Sequence, residues 1–168
     1  MLHIALISSH HAPPAQLCRT PAAPARAGGA EPHAATLATV DDDGVPDART
    51  LIVKGVDGRG WAFASQRSSR KGAQLSGQPV AALDFWWQPV MRAVRMRGAV
   101  QPATRAESDA DFAARSPAAR AGVDPADWAL WRIIPTRVEF WQGSPDRRHT
   151  RVVYTSDAGR WAHSASIE

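Results

Sequence analysis

The stretch PDARTLIVKGV, residues 46–56, is predicted to be a β-strand, because apolar and polar residues alternate along it and it ends at a turn signal. Its residues at even positions from 48 to 54 share one face, whereas Arg49, Leu51 and Val53 share the other. The run Asp57-Gly58-Arg59-Gly60 follows and predicts a turn. Residues 61–65 (WAFAS) then return as the partner strand. A hairpin at this point favours an antiparallel sheet.

The rest of the chain is predicted to contain more short strands and a few helices. Thr104 and Glu107 have the spacing of a capping box, and Asp124 before a proline is typical of a helix start. The predicted strands are 35–41, 46–56, 61–65, 79–87, 91–101, 136–141, 151–154 and 160–163, and the predicted helices are 68–77, 104–115 and 124–132. The fold class is therefore mainly β (β + α), a small β-barrel with a few short helices.

Length and composition indicate one folded domain that needs no disulfide bond or structural metal ion. The chain has 168 residues, and its 44% apolar and 21% charged content is ordinary for a globular protein. Residues 10–30 are rich in Ala and Pro, so residues 1–30 are predicted to be a disordered tail and residues 31–168 the folded domain. No apolar run is long enough to span a membrane, and no His/Cys cluster indicates a metal site. The single cysteine, Cys18, favours a reducing, cytoplasmic location.

The basic residues are almost all arginines. Of the 20 Lys and Arg residues only Lys54 and Lys71 are lysines. This predicts that a compact ammonium group has a specific role at these two positions. The net charge is +4, but the cations are spread along the chain rather than gathered in a basic tract. An anionic small molecule is therefore a better expected partner than nucleic acid.

Three clusters of cations are candidates for an anion site. The run Ser68-Ser69-Arg70-Lys71 opens a predicted helix, where free N–H groups attract phosphate, although a capped helix with surface cations is the ordinary alternative. Arg49 and Lys54 bracket one strand, and two solvated strand ends are again the alternative. Arg147, His149 and Arg151 are spaced by two, so in an extended segment they would lie on one face and repel unless they met an anion.

No motif supplies a protein nucleophile. The sequence has no GxSxG, HExxH or GxxxxGK[ST] pattern and no paired catalytic carboxylates, and the run from Ser108 to Asp111 is interpreted as a solvated helix face. Groups that bind anions without a nucleophile point to a bound cofactor that does the chemistry.

These clusters, in this order, resemble the pyridoxamine 5'-phosphate oxidase family. The resemblance rests on RTLIVK (49–54), SRK (69–71) and EFWQG (139–143) with Arg147, His149 and Arg151 behind it, and it covers about residues 36–161. It implies an FMN-binding split barrel whose residues 31–168 include C-terminal dimerisation strands, and a homodimer. It also implies oxidation of pyridoxine or pyridoxamine 5'-phosphate to pyridoxal 5'-phosphate, with O2 as the electron acceptor.

The resemblance also implies a role for individual residues. Arg147 and His149 would be catalytic, and they would hold the substrate together with Lys54 and Arg115. The residues that would contact FMN are Arg49, Thr50, Leu51, Ile52, Val53, Lys54, Ser65, Arg70 and Lys71, with Trp141 and Arg151 supplied by the partner subunit.

Several positions depart from the family pattern. Ala93 stands where the family has a Gln that contacts the flavin, Asp111 where a Tyr binds the substrate phosphate, and Ala119 where a Ser does so. The connection between Arg115 and Trp131 is also shortened. Two alternatives follow: a related FMN-dependent oxidase acting on another reduced heterocycle, as in phenazine-type secondary metabolism, and a non-catalytic flavin-binding protein.

Overall fold

A computed structural model describes residues 31–168 as a single curled antiparallel sheet with short helices. The strand order is β2-β1-β5-β6-β7-β4-β3, and β8 and β9 extend from β7. The strands are β1 (Ala34–Val40), β2 (Pro46–Ile52), β3 (Gly55–Asp57), β4 (Gly60–Gln66), β5 (Val80–Trp87), β6 (Arg92–Pro102), β7 (Trp128–Gln142), β8 (Thr150–Asp157) and β9 (Arg160–Ile167). The expected mainly β split barrel is therefore confirmed.

Strand β7 is the central strand of the sheet, because its two halves pair with different neighbouring strands. The first half pairs with β4, from Trp128 opposite Gln66 to Ile133 opposite Trp61. The second half pairs with β8, while β6 follows β7 along both halves. The sheet therefore forks along β7, and the C-terminal hairpin of β8 and β9 extends away from the barrel.

Alternation along the strands fills the barrel with apolar side chains. Leu37, Phe63, Leu83, Ile133 and Val138 are fully buried at its centre. The ladder between β6 and β7 shifts register between Arg97 and Gly98. A Cβ at Gly98 would lie against the carbonyl oxygen of Ile134, so only glycine permits this close approach of the two strands.

Within residues 31–168, three short helices lie outside the sheet: α1 (Arg70–Gly77), α2 (Arg105–Ala113) and α3 (Pro117–Arg120). The cap of α1 is Ser69, whose hydroxyl accepts from the Gly72 N–H. Helix α2 has the predicted capping box between Thr104 and Glu107. Single-turn 3₁₀ segments occupy Gln88–Val90 and Pro125–Asp127.

Two predictions about elements are wrong. The helix expected over 124–132 is only the 3₁₀ turn Pro125–Asp127, because the apolar run from Trp128 to Trp131 is buried in the sheet as the start of β7. The strand expected over 46–56 breaks after Ile52, and β3 then continues as a separate strand paired with β4. The capping residues at 124–125 favour a helical turn, but burial of the residues that follow in the sheet prevents this turn from continuing as a helix.

The predicted disordered tail, residues 1–30, lies outside the described residues. Within the described part, no helix is long and apolar enough to cross a membrane.

Candidate active site

The first cluster of the site surrounds the N-terminus of α1. The Ser69 hydroxyl lies 2.9 Å from the hydroxyl of Ser65, the penultimate residue of β4. A Cβ at Gly72 would lie against the carbonyl oxygen of Arg67, so the glycine lets the first turn of α1 pack on the preceding loop. Two hydroxyls therefore lie beside the free N–H groups of a helix start, where the helix dipole favours an anion.

Arg49 on β2 and Arg70 at the start of α1 share one carboxylate. Arg49 Nη2 and Arg70 Nε each lie 2.9 Å from Asp47 Oδ2. Arg49 also donates to the hydroxyl of buried Thr39 and to Gln74 Oε1, the latter at 3.0 Å. Burial acts to raise the pKa of Asp47, but the charges of Arg49 and Arg70 and the hydrogen bonds from Gln74 and the Ala48 N–H together lower it.

Lys71 completes this cluster. Burial and the neighbouring charge of Arg49 lower its pKa below the ordinary value of 10.5. Arg49, Arg70 and Lys71, less the carboxylate of Asp47, leave a net charge of about +2, which matches the charge of a phosphate monoester near neutral pH. These residues fit a phosphate group, and we call the set of Arg49, Ser65, Ser69, Arg70 and Lys71 the anion cradle.

A second cluster lies next to the anion cradle along the pair of β4 and β7. Lys54 follows β2, and its Nζ lies 3.4 Å from Asp111 Oδ1 on α2. Asp111 Oδ2 accepts from Trp128 Nε1 at 2.9 Å, and Trp128 pairs in register with Gln66. We call Lys54, Asp111, Arg115 and Trp128 the Lys54 wall.

Arg115 is engaged in the Lys54 wall rather than free. Its guanidinium lies 4.1 Å from the centroid of a Trp128 ring, and its Nε and Nη2 both donate to the carbonyl oxygen of Ala119. The interpretation of 108–111 as a solvated face is wrong for two residues. Ser108 is fully buried and accepts from the Leu130 N–H, and Asp111 bonds Lys54 and Trp128.

The third cluster lies at the far end of β7 and in the loop that leads to β8. The ring centroids of Trp141 and His149 are 4.9 Å apart, and His149 Nδ1 accepts from the Ser144 N–H at 3.1 Å. This bond places the ring proton of the neutral imidazole on Nε2. The backbone of His149 is held by two hydrogen bonds with Glu168, both 2.9 Å.

The expectation that Arg147, His149 and Arg151 line one face of an extended segment is wrong. Arg147 lies in a turn with a φ of 64°, and only Arg151 belongs to strand β8. The turn is stabilised by Asp146, which accepts from Ser144 Oγ and the Arg148 N–H. The direction of the exposed Arg147 side chain is therefore set by the backbone of a turn and not by that of a strand.

Buried Glu139 is paired with Arg151 of this cluster and with two other arginines. It is 3% exposed, and its carboxylate lies 2.7 Å from Arg137 Nη2, 3.3 Å from Arg95 Nη1 and 3.7 Å from Arg151 Nη1. Arg151 also bonds Glu168 at 2.7 Å. A buried carboxylate with several guanidinium partners fixes where the arginines lie.

One copy of the chain does not bring the predicted site residues together. The anion cradle and the Lys54 wall border the start of β7, whereas Trp141, Arg147, His149 and Arg151 lie at or beyond its end. The 15 residues of β7 span about 45 Å along the strand. The third cluster is therefore remote from the first two in the same chain.

The predicted flavin-contact stretch has its faces as expected. Thr50 and Ile52 are exposed, Leu51 is half-buried, and Val53 packs in the hydrophobic core. Sequence reasoning missed Asp47, although its position two residues before Arg49 on one strand face was a usable signal. It also missed Asp127, whose carboxylate accepts from the Ser68 N–H and hydroxyl and so ties the loop before α1 to β7.

Among residues 31–168, no group of three His, Cys, Asp or Glu side chains is arranged to hold a metal ion. The fold and these clusters define a split-barrel protein with a cluster of cations at the start of one helix.

Comparison with known families identifies the class more closely. The model of the pyridoxamine 5'-phosphate oxidase family matches residues 24–142, and that of the pyridoxine 5'-phosphate oxidase C-terminal dimerisation region matches residues 128–165. The chain belongs to the pyridoxamine 5'-phosphate oxidase family and is an oxidoreductase. The match to the dimerisation region supports a homodimer.

Named relatives agree with this assignment. The chain is 41% identical to a pyridoxine/pyridoxamine 5'-phosphate oxidase of Bordetella petrii over 79% of this chain and 78% of that protein. It is 39% identical to one of Ectopseudomonas mendocina, over 78% and 76%.

Solved structures agree as well. The crystal structure of PhzG from Burkholderia lata 383 in complex with tetrahydrophenazine-1-carboxylic acid matches with a TM-score of 0.83 and 26% identity, covering 91% of each chain. An FMN-binding protein of Nostoc punctiforme shares the fold at a TM-score of 0.68 and 23% identity, over 79% of this chain and 86% of that one.

Proposed function

We propose that this protein is an FMN-dependent oxidase that takes a hydride from a small reduced nitrogen heterocycle. The observation that carries the proposal is the anion cradle, in which Arg49 and Arg70 share Asp47, and Arg70 and Lys71 open α1 beside two serine hydroxyls. FMN, when bound, supplies a two-electron acceptor that molecular oxygen reoxidises with release of hydrogen peroxide.

The residues of the chain bind and orient. The anion cradle would hold the FMN phosphate, and the exposed residues Thr50 and Ile52 of β2 would line the path of the flavin. Because Trp141, His149 and Arg151 are remote from the cradle of the same chain, they would complete the cradle of a partner subunit. Arg147 and His149 would then hold the substrate over the flavin, with His149 donating from Nε2.

Two substrate classes have support. The names of the relatives and the cations Arg115, Arg147 and His149 favour pyridoxine or pyridoxamine 5'-phosphate. The pairing of Lys54 with Asp111 favours another reduced heterocycle, and PhzG, which shares the fold over 91% of the chain, was solved with tetrahydrophenazine-1-carboxylic acid.

The flavin content of the purified protein tests the proposal. We expect a yellow protein whose flavin absorbance is bleached without oxygen by a reduced heterocycle and returns on exposure to air. A colourless protein that gains no flavin absorbance when FMN is added would contradict the proposal.

A further inference from the structure

The Lys54 wall differs in charge from the anion cradle beside it. In the cradle, Arg49 and Arg70 share the carboxylate of Asp47 and Lys71 adds a further charge, whereas in the wall the ammonium of Lys54 faces the carboxylate of Asp111 at 3.4 Å. The pair of Lys54 and Asp111 is neutral as a unit. A phosphate dianion placed at Lys54 would therefore meet a carboxylate within a few ångströms of the same ammonium.

Asp111 is held in place, so it cannot easily swing away from such a ligand. Its side chain is 13% exposed, and Oδ2 accepts from the indole N–H of Trp128. That indole is itself fixed between Phe112, with ring centroids 6.0 Å apart, and the guanidinium of Arg115. Turning Asp111 outward would leave the buried indole N–H unbonded.

Arg115 does not restore a free cation site. Its planar group covers Trp128, and two of its donors are used by the Ala119 carbonyl. Lys54, whose side chain is 37% exposed, still presents donors, and beside it lie the remaining lone pairs of Asp111. Such a pair can donate to and accept from a hydroxyl or an amide without a change in net charge.

We propose that Asp111 is a specificity-determining residue that selects a substrate without a phosphoester, a reduced nitrogen heterocycle whose substituent at the Lys54 wall is an uncharged hydroxyl or amide. This inference rests on the proposed function, because it assumes that the Lys54 wall lines the substrate side of the flavin site. The adjacency of the two clusters supports that assumption, since Ser65 of the cradle and Gln66 pair in register with Ala129 and Trp128.

The test compares two ligands that differ only in the phosphate. Pyridoxine and pyridoxine 5'-phosphate are titrated without oxygen into the FMN-loaded dimer after its flavin has been reduced with dithionite, so that neither ligand can react, and binding is followed by the shift of the reduced-flavin absorbance. Three proteins are compared: the wild type, Asp111→Asn and Asp109→Asn. Asp109→Asn removes the same charge from the exposed side of α2, where Asp109 pairs with Arg105.

We expect the wild type to bind the phosphorylated ligand no more tightly than pyridoxine. In Asp111→Asn the amide can still accept from Trp128, but Lys54 is released, so the ratio of the two dissociation constants should shift toward the phosphate by about tenfold or more. Asp109→Asn should leave the ratio as it is in the wild type.

Three results would overturn the inference: a wild-type preference for the phosphorylated ligand of tenfold or more, an unchanged ratio in Asp111→Asn, or no binding of pyridoxine 5'-phosphate by that variant. All three require a yellow, FMN-loaded protein. A protein that does not take up FMN refutes the proposed function instead, so the two failures are distinguishable.

Discussion

Lys71 shows at the level of one residue how a binding site costs stability. Its pKa is lowered by burial and by Arg49, so the folded state holds the lysine proton less firmly than the unfolded chain does. Below the lowered pKa both states are protonated and the charge penalises folding. The penalty disappears as the pH rises from the lowered pKa to the ordinary one. A bound phosphate would reverse the effect by pairing with the ammonium.

We therefore predict opposite effects of Lys71→Met on stability and on cofactor binding. Without FMN the variant should be as stable as the wild type or more stable by about 0.5 kcal/mol, because a poorly paired charge is gone. Its affinity for FMN should fall about ten- to hundredfold, the usual loss for a charged hydrogen bond. Thermal unfolding and FMN titration measure the two effects.

The control for Lys71→Met is Arg160→Met, which removes an exposed cation at the hairpin between β8 and β9. It should change neither measurement. Unchanged FMN affinity in Lys71→Met would show that the ammonium does not bind the phosphate.

Arg147 is the residue whose role separates substrate binding from cofactor binding. Because it lies on an exposed turn away from the cradle of its own chain, Arg147→Ala should slow anaerobic flavin bleaching about ten- to hundredfold while FMN stays bound. The neighbouring exposed variant Arg148→Ala should bleach as the wild type does. Loss of FMN from Arg147→Ala would assign this arginine to the cofactor instead.

Among the elements, the N-terminus of α2 is joined by charge to the turn between β3 and β4 and to strand β7. Glu107 closes the capping box with Thr104 and also accepts from Arg59 at 2.6 Å and Arg132 at 3.0 Å. The hydrogen bonds from Thr104 and Arg132 lower the pKa of Glu107 to about 2. The ionised carboxylate therefore fastens α2 to the β3–β4 hairpin and to β7.

The pH dependence of stability should report this fastening. A lowered carboxyl pKa contributes stability that is complete above the unfolded value of about 4.5 and is lost as the pH falls toward 2. We predict that Glu107→Gln is less stable than the wild type at pH 6 and that the gap narrows steadily from pH 4.5 downward. Chemical denaturation across this range measures the gap.

The control is Asp43→Asn, which changes an exposed carboxylate in the turn after β1. Its stability should follow that of the wild type through the same acid range. A constant gap for Glu107→Gln would mean that the ionised state of the carboxylate contributes nothing.

Elements were predictable where local and tertiary preferences agree. The alternation at 46–52 and the capping box at Thr104 are local signals, and both gave the right element. Residues 124–132 carry a helix-start signal at Asp124 but an apolar run at 128–131, and burial between β4 and β6 decided for a strand. The turn that holds Arg147 was missed because its positive φ is not marked by glycine.

The candidate site was less predictable than the fold. Each cation of the anion cradle lies in a recognisable motif, but the sharing of Asp47 by Arg49 and Arg70 depends on how β2 meets α1. The pairing of Lys54 with Asp111 likewise needs two elements that are far apart in the chain to meet. Such contacts follow from the tertiary structure and carry no short-range signal.

At the scale of the whole molecule, the two parts of the site are expected to come from different copies. We predict that a hybrid dimer of one Lys71→Met chain and one Arg147→Ala chain, isolated with two different tags, has about half of the wild-type bleaching activity. One of its two sites then carries both changes and the other carries neither.

Each homodimer, Lys71→Met or Arg147→Ala, serves as the control and should be nearly inactive at limiting FMN. If both residues served a site within one chain, every site of the hybrid would carry one change. The hybrid would then be as inactive as the homodimers, and the shared site would be refuted.

The length of β7 also determines whether a single subunit can be active. A strand that carries the cradle's neighbours at one end and the residues proposed to hold the substrate at the other would leave a single folded subunit with two incomplete half-sites. Diluting the enzyme should therefore abolish turnover long before the barrel unfolds. Specific activity would fall with protein concentration while the circular dichroism spectrum stays unchanged. The active species would then be the dimer and not the folded monomer.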